Sequence, residues 1–418
     1  MPPSSPTPAW AILPFVAYLV LLAVLPLVVA RWWERNRNKL LFAVVVSLPV
    51  VVFLVGHDGG GAALGEAVRE YVAFMALLAA LFVISGGIYL RGTVVGTPVV
   101  NTLVLAIGAL LGSVVGTTGA SALLIRPLLR ANAQRAHCKH LVVFFIFIVA
   151  NGAGLLTPLG DPPLFLGFLR GVPFTWTLRL LAPWALSNGT LLAIFFLLER
   201  ALYRREPPRV AADAAQEPIT LEGWRNVALL AGVVAAMFLA GGWRVVALVA
   251  LAALSAKTTP PRIHQANRFS WAPMREVAVV FVGIFVTMVP ALAYLARLGP
   301  TLGLTRPWQF FWASGALSSV LDNAPTYLTF ASLASGVTAV GSLAALAAHP
   351  TGQQLLAAVS CGSVMMGAVT YIGNGPNFMV KAIAEQHHVR MPGFFGYTLW
   401  SLTFLMPLFA VVALVFFR

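Results

Sequence analysis

Two carboxylates stand in stretches that are otherwise apolar. Asp161 lies in Thr157-Pro158-Leu159-Gly160-Asp161-Pro162-Pro163, and Asp322 in Leu321-Asp322-Asn323-Ala324-Pro325-Thr326. An isolated ionised carboxylate in hydrocarbon is costly, so each is expected to be protonated, paired or facing a wet cavity. A cation and a proton can compete for one such group, which gives exchange a simple mechanism. Around them, Asn323 and Asn374 offer amide oxygens, and Thr117, Thr118, Ser121 and Thr326 offer hydroxyls. The plainer role for these polar groups is to cap interrupted helices. The interruptions are written in Gly116, Gly119, Pro158, Gly160, Pro162, Pro163, Pro325, Gly373, Gly375 and Pro376. Prolines and glycines at this density break a helix and leave unwound carbonyls and the N-terminus of a half-helix. Such ends are a physical route to binding a small ion at membrane depth, with sodium a candidate at the same place.

The elements that must position these groups follow from composition. The 418 residues are 59% hydrophobic and only 10% charged, with a mean hydropathy of +0.87. A soluble domain carries about 25% charged residues. Uncharged stretches recur at 40–57, 71–90, 92–125, 180–198, 226–243, 277–296, 323–380 and 391–417. Most are long enough to cross roughly 30 Å of hydrocarbon as helix. The alternation of a porin strand is absent, so the spanning elements are expected to be helices. The net charge of +14 does not point to nucleic acid. The basic residues sit in short loops, where they set orientation. Cys138 and Cys361 are far apart and define neither a disulfide framework nor a metal site. No cofactor is called for. The first ten residues carry no basic n-region, so 11–30 is expected to be a membrane helix rather than a cleaved signal.

Basic loops then give a topology. Arg31–Lys39, Arg91, Arg126–Lys139, the loop 199–225 and Lys257–Arg268 are placed in the cytoplasm, and Asp58, Glu66 and Glu70 in an outer loop before a third helix at 71–90. Because Arg91 and Arg126 flank one long uncharged stretch from the same side, 92–125 is expected to be a re-entrant hairpin with its tip at 116–121. A second hairpin is expected at 308–345, with its tip at 321–326. Two broken helices are expected at 140–170 and 354–385, interrupted at 157–163 and 371–377. The fold class is therefore an all-α polytopic membrane protein of about ten transmembrane helices plus two re-entrant hairpins, with both termini outside and an inner (plasma) membrane location.

The halves repeat in order: two helices, a hairpin, a broken helix and a closing helix. Gly160-Asp161-Pro162-Pro163 in one matches Gly373-Asn374-Gly375-Pro376 in the other. Charge topology starts the units on opposite faces, as in inverted-repeat transporters. The expected division is 1–38 as an N-terminal helix and basic loop, 39–198 as the first unit, 199–242 as a cytoplasmic loop with linking helix, and 243–418 as the second unit. Weaker polar candidates receive structural readings. Glu276 favours a helix dipole, Lys381 and Glu385 form an i,i+4 pair, and His387 and His388 occupy a loop. No HExxH or GxSxG occurs, which leaves little to build an enzyme from.

These motifs resemble the ion transporter superfamily. SGGIYLRGTVVGTPVVNT (85–102), GTTGASALLIRPLLRAN (116–132), FFIFIVANGAG (144–154) and LTPLGDPPLFLGFLRG (156–171) closely resemble a bacterial branch of citrate transporters and NhaD-type sodium:proton antiporters. SSVLDNAPTYLTF (318–330) and YIGNGPNFM (371–379) resemble its second-half motifs. The resemblance covers 40–417 and implies hairpin tips meeting helix breaks, a scaffold and a transport domain, and a homodimer. It also implies a small ion or carboxylate as substrate. Dicarboxylate carriers have Ser-Asn-Thr at both tips, whereas here the tips read Gly-Thr-Thr-Gly and Asp-Asn-Ala-Pro-Thr. Asp322 would repel citrate unless a cation lay between them. Exchange of sodium or lithium for protons is thus the first expectation, cation-coupled citrate or dicarboxylate transport the second, and arsenite efflux the third.

Overall fold

Long apolar runs without polar partners for their backbone form helices almost throughout this computed structural model, which describes residues 8–33, 35–93, 95–206 and 217–418. Residues 1–7, and 207–216 of the expected cytoplasmic loop, lie outside the described residues. The first half contains α1 (Leu13–Val28), α2 (Ala30–Trp33), α3 (Asn36–Val55) and α4 (Gly60–Gly86). It continues with α5 (Pro98–Val115), α6 (Thr117–Ala131), α7 (Lys139–Ile148), α8 (Pro162–Leu169) and α9 (Leu181–Tyr203). The linking region and second half contain α10 (Trp224–Ala236), α11 (Gly242–Thr258), α12 (Pro261–Ala266), α13 (Ala272–Leu298), α14 (Pro307–Ser318), α15 (Asn323–Val337), α16 (Leu343–Ala348), α17 (Pro350–Met366), α18 (Gly375–Gln386) and α19 (Phe394–Phe416). Among the described residues, six helical segments are long and apolar enough to cross a membrane, and three shorter ones are strongly apolar. The protein is an all-α polytopic membrane protein.

The expected hairpins and breaks fall where the breakers stand. α5 ends at Val115 and α6 begins at Thr117, with only Gly116 between them. Gly116 has φ +80°, a conformation that a residue with a Cβ adopts only under strain. The second hairpin turns over 319–322, between α14 and α15. The first broken helix is interrupted twice, since a 3-10 turn, Gly152–Leu155, separates α7 from α8. The second has one gap, between α17 and α18. Pro162 and Pro163 open α8, and Gly375 and Pro376 open α18. Proline is tolerated there because the first N–H groups of a helix have no intrahelical partner.

Two boundaries differ from the sequence reading. α4 starts at Gly60, so Glu66 and Glu70 are helical rather than in a loop. Partners explain this: Glu66 pairs with Arg69 at 3.0 Å, and Glu70 with Arg170 at 2.8 Å. A short antiparallel ribbon was also unforeseen. β1 (Tyr89–Thr93) pairs with β2 (Glu217–Glu222), Tyr89 opposite Glu222 and Leu90 opposite Leu221. It joins two loops outside the apolar spans, where strand edges can be solvated.

Helix packing assembles the halves. α13 lies against α3, α4 and α15, and α14 against α17. The Tyr18 hydroxyl donates to the Val280 carbonyl at 2.8 Å, tying α1 to α13. Glu276 lies beyond the first turn of α13 and accepts from Lys39 at 2.6 Å rather than serving the helix dipole expected of it, whereas Lys381 pairs with Glu385 at 3.2 Å as expected. The largest buried polar cluster was not foreseen. Glu199 of α9 is fully buried and accepts from Arg135 through both oxygens, at 2.5 and 3.0 Å. It also bonds His140 Nε2 at 2.5 Å and accepts from Asn101 at 2.7 Å. Asn101 and Asn132 exchange amide bonds at 3.0 and 2.8 Å. One carboxylate of α9 thus joins α5, the loop after α6, and α7.

Neither cysteine is bonded to another. In the loop before α7, burial pushes the Cys138 thiol up to about 11, against a weaker lowering by Arg135. Maleimide labelling of Cys138 in the folded protein at neutral pH is expected to run roughly a hundredfold slower than with a free thiol, because thiolate is the nucleophile. Mass spectrometry of the labelled protein would check this, and rapid labelling would contradict the buried placement.

Candidate functional site

Asp161 is the N-cap of α8 and is 2% exposed. Its side chain makes no bond to its own helix. Instead it accepts from both hairpins. Thr117 Oγ1 donates to Oδ1 at 3.1 Å, and Asn323 Nδ2 donates to Oδ2. Thr117 and Asn323 are each the first residue of the returning helix of their hairpin, α6 and α15. The backbone draws the same elements together, since Thr117 N–H donates to the Gly160 carbonyl at 2.9 Å. Two hairpins distant in the chain therefore converge on one carboxylate, Asn323 lying 162 positions from Asp161, and both bonded partners are neutral.

The second break mirrors the first at a constant offset of 213 residues. Thr157 Oγ1 donates to the Ser113 carbonyl of the first hairpin, and Thr370 Oγ1 to the Ser319 carbonyl of the second, the latter at 2.6 Å. Each hydroxyl then accepts from the amide two residues on, Leu159 and Ile372, both at 3.1 Å. Gly160 and Gly373 follow. A Cβ on either would press into the carbonyl of Gly154 or Gly367, respectively. Asp161 and Asn374 come next with nearly the same backbone, φ −149° in both and ψ 144° and 137°. The repeat is thus visible as paired hydrogen bonds, though few residues are identical.

Asn374 is 4% exposed and donates to the Ala150 carbonyl and to Asn151 Oδ1, both at 3.1 Å. Asn151 donates to Asn377 Oδ1 at 2.7 Å, and Asn377 donates to the Gly367 and Thr370 carbonyls at 2.8 and 2.9 Å. These amides splice one break to the other. Asn151 and Asn377 were missed as site residues. The signal was present as two asparagines within apolar sequence, each beside a break.

The remaining candidates divide. Asp322 is half-buried and caps α15, accepting from Ala324 N–H at 2.9 Å. Thr326 is fully buried and donates to the Asp322 carbonyl at 2.9 Å, so its hydroxyl serves the cap. Ser121, one turn beyond Thr117 and on the same face, is fully buried, yet its hydroxyl has no partner among the described residues. The Asn323 Oδ1 is likewise buried without a partner. Thr118 is exposed and is not among the groups bonded to Asp161. Pro158 is buried within the first break, whereas Gly119 and Pro325 are buried inside the first turns of α6 and α15, where a helix start tolerates them, rather than at interruptions.

Helices α6, α8, α15 and α18 all begin at these residues. Each N-terminus carries a partial positive charge of roughly half a unit, which offsets part of the cost of a buried carboxylate. The arrangement supplies two carboxylates, an unpaired amide oxygen and an unpaired hydroxyl. That is a hard-oxygen donor set suited to a small cation, and the same carboxylates can hold a proton.

Hairpin tips meeting helix breaks inside a multi-pass helical protein define a membrane transporter. The chain belongs to the family described as "Putative citrate transport", whose profile matches residues 4–417. No curated protein matches it.

Proposed function

We propose that the protein is a secondary active transporter of the inner membrane that exchanges sodium or lithium for protons at Asp161 and Asp322. The observation that carries this reading is the Asp161 carboxylate, buried and bonded to the neutral donors Thr117 and Asn323. Helix N-termini lower the cost of its charge, and a proton or a bound cation removes the rest. Occupancy by one excludes the other, and alternation between them is exchange. Asp322, the Asn323 Oδ1 and Ser121 complete the oxygen set on the hairpin side.

The family description favours a second reading, cation-coupled citrate transport. A cation at the two aspartates would then bridge to the substrate carboxylates. The two readings differ in what moves when sodium is supplied alone.

Purified protein in liposomes with a trapped pH dye tests this. Sodium or lithium is expected to drive proton efflux without citrate, and Asp322→Asn to reduce it at least tenfold. Silence with every cation, combined with sodium-dependent uptake of labelled citrate, would overturn exchange in favour of citrate transport.

A further inference from the structure

A cavity of about 630 Å³ opens where the C-terminal ends of α6, α9 and α18 meet the N-terminus of α7. Its character is opposite to that of the central site. Arg130, Arg135, Lys139 and Arg390 line it, together with His387 and His388 at the end of α18. Glu199 is bonded to Arg135 and His140. Burial pushes the Glu206 carboxyl up, but bonds from the His137 and Ala136 backbone outweigh this and hold it below the usual range. Two carboxylates thus stand against four permanent cations. Lys139 and Arg390 are exposed and have no ion pair among the described residues.

Two further features favour anion binding. Arg135 is 7% exposed and bonded to Glu199 through its terminal nitrogens, while its Nε has no hydrogen-bond partner among the described residues and lies 3.9 Å from Glu206 Oε1. α7 starts without a side-chain cap and carries Lys139 and His140 in its first turn. Cations at a helix N-terminus are unfavourable, whereas an oxyanion there would accept from the free amides and the cations together. His387 donates Nδ1–H to the Ile383 carbonyl at 2.9 Å, so its Nε2 could donate to an anion only as the imidazolium.

We infer that this cavity binds a compact multivalent oxyanion, a phosphate or polycarboxylate group, held by Arg135, Lys139, Arg390 and the N-terminus of α7. The site is separate from Asp161 and independent of which ion the central site carries. Its volume accommodates a tricarboxylate, a free phosphate or the phosphate of a lipid headgroup.

Calorimetric titration of the full-length protein in neutral detergent with inorganic phosphate and with citrate tests the inference. A parallel arm uses nanodiscs of phosphatidylcholine with and without phosphatidylglycerol, reading the unfolding temperature. Binding is expected to weaken about tenfold for each charge removed in Lys139→Gln and Arg390→Gln, and to persist in Asp161→Asn. Saturation by phosphate or citrate identifies a free anion. Stabilisation by phosphatidylglycerol alone, lost in the same variants, identifies the headgroup. If the double variant misfolds, Lys139→Arg/Arg390→Lys must retain binding. Absence of every anion effect, or unchanged affinity in the charge-removing variants, would overturn the site.

Discussion

Asp161→Asn is expected to reduce transport by at least about a hundredfold while leaving the protein folded. The carboxylate accepts from Thr117 and Asn323. An amide of the same shape turns one donor-facing oxygen into a donor and removes the only charge at that position. Charge-assisted bonds contribute about 1.5–3 kcal/mol each, and every 1.4 kcal/mol is tenfold in binding. Cation and proton share the site, so both are affected. Parallel flux and unfolding measurements in liposomes and detergent would separate the effects. Full activity in the variant would show that the proton and cation use another group. Asp322→Asn is expected to do less, because Asp322 is half-buried and already engaged as the cap of α15.

The second large effect concerns stability. Glu199→Leu is expected to cost about 3–5 kcal/mol, the usual penalty for leaving a buried charge without its partner. Arg135 would keep its burial and lose a bidentate carboxylate, and Asn101 and His140 would lose acceptors at the same place. Removing both charges in Glu199→Leu/Arg135→Met is expected to recover much of the loss, since the penalty is mainly the unpaired ion. Denaturant unfolding in detergent, scored against the single variants as a double-mutant cycle, measures the coupling. Additive costs would mean that the pair contributes nothing beyond its separate contacts.

These expectations rest on information of different kinds. The location of the hairpin tips and helix breaks was legible in the sequence because it depends on local chemistry. Gly116 alone permits a turn at φ +80°, and Pro162-Pro163 and Gly375-Pro376 can start a helix but not continue one. The pairing of Lys381 with Glu385 was legible for the same reason, whereas the bond from Lys39 to Glu276 was not. The extension of α4 to Gly60 was not. A Glu-rich segment reads as loop until Arg69 and Arg170 are placed beside it.

By itself, then, the sequence determined a polytopic helical protein, the places where its helices break, and the two aspartates set into those places. The tertiary structure decided which groups meet. Thr117 and Asn323 share Asp161 although they come from different halves, Asn151 and Asn377 splice the breaks together, and Thr118 stays outside. It also decided that Glu199, which reads as the edge of a charged loop, ties three helices and the loop after α6. The physical reason is range. A turn or a cap is fixed by a few neighbouring residues, whereas a buried hydrogen bond between positions far apart in the chain exists only once packing has excluded water and left each polar group a single partner to find.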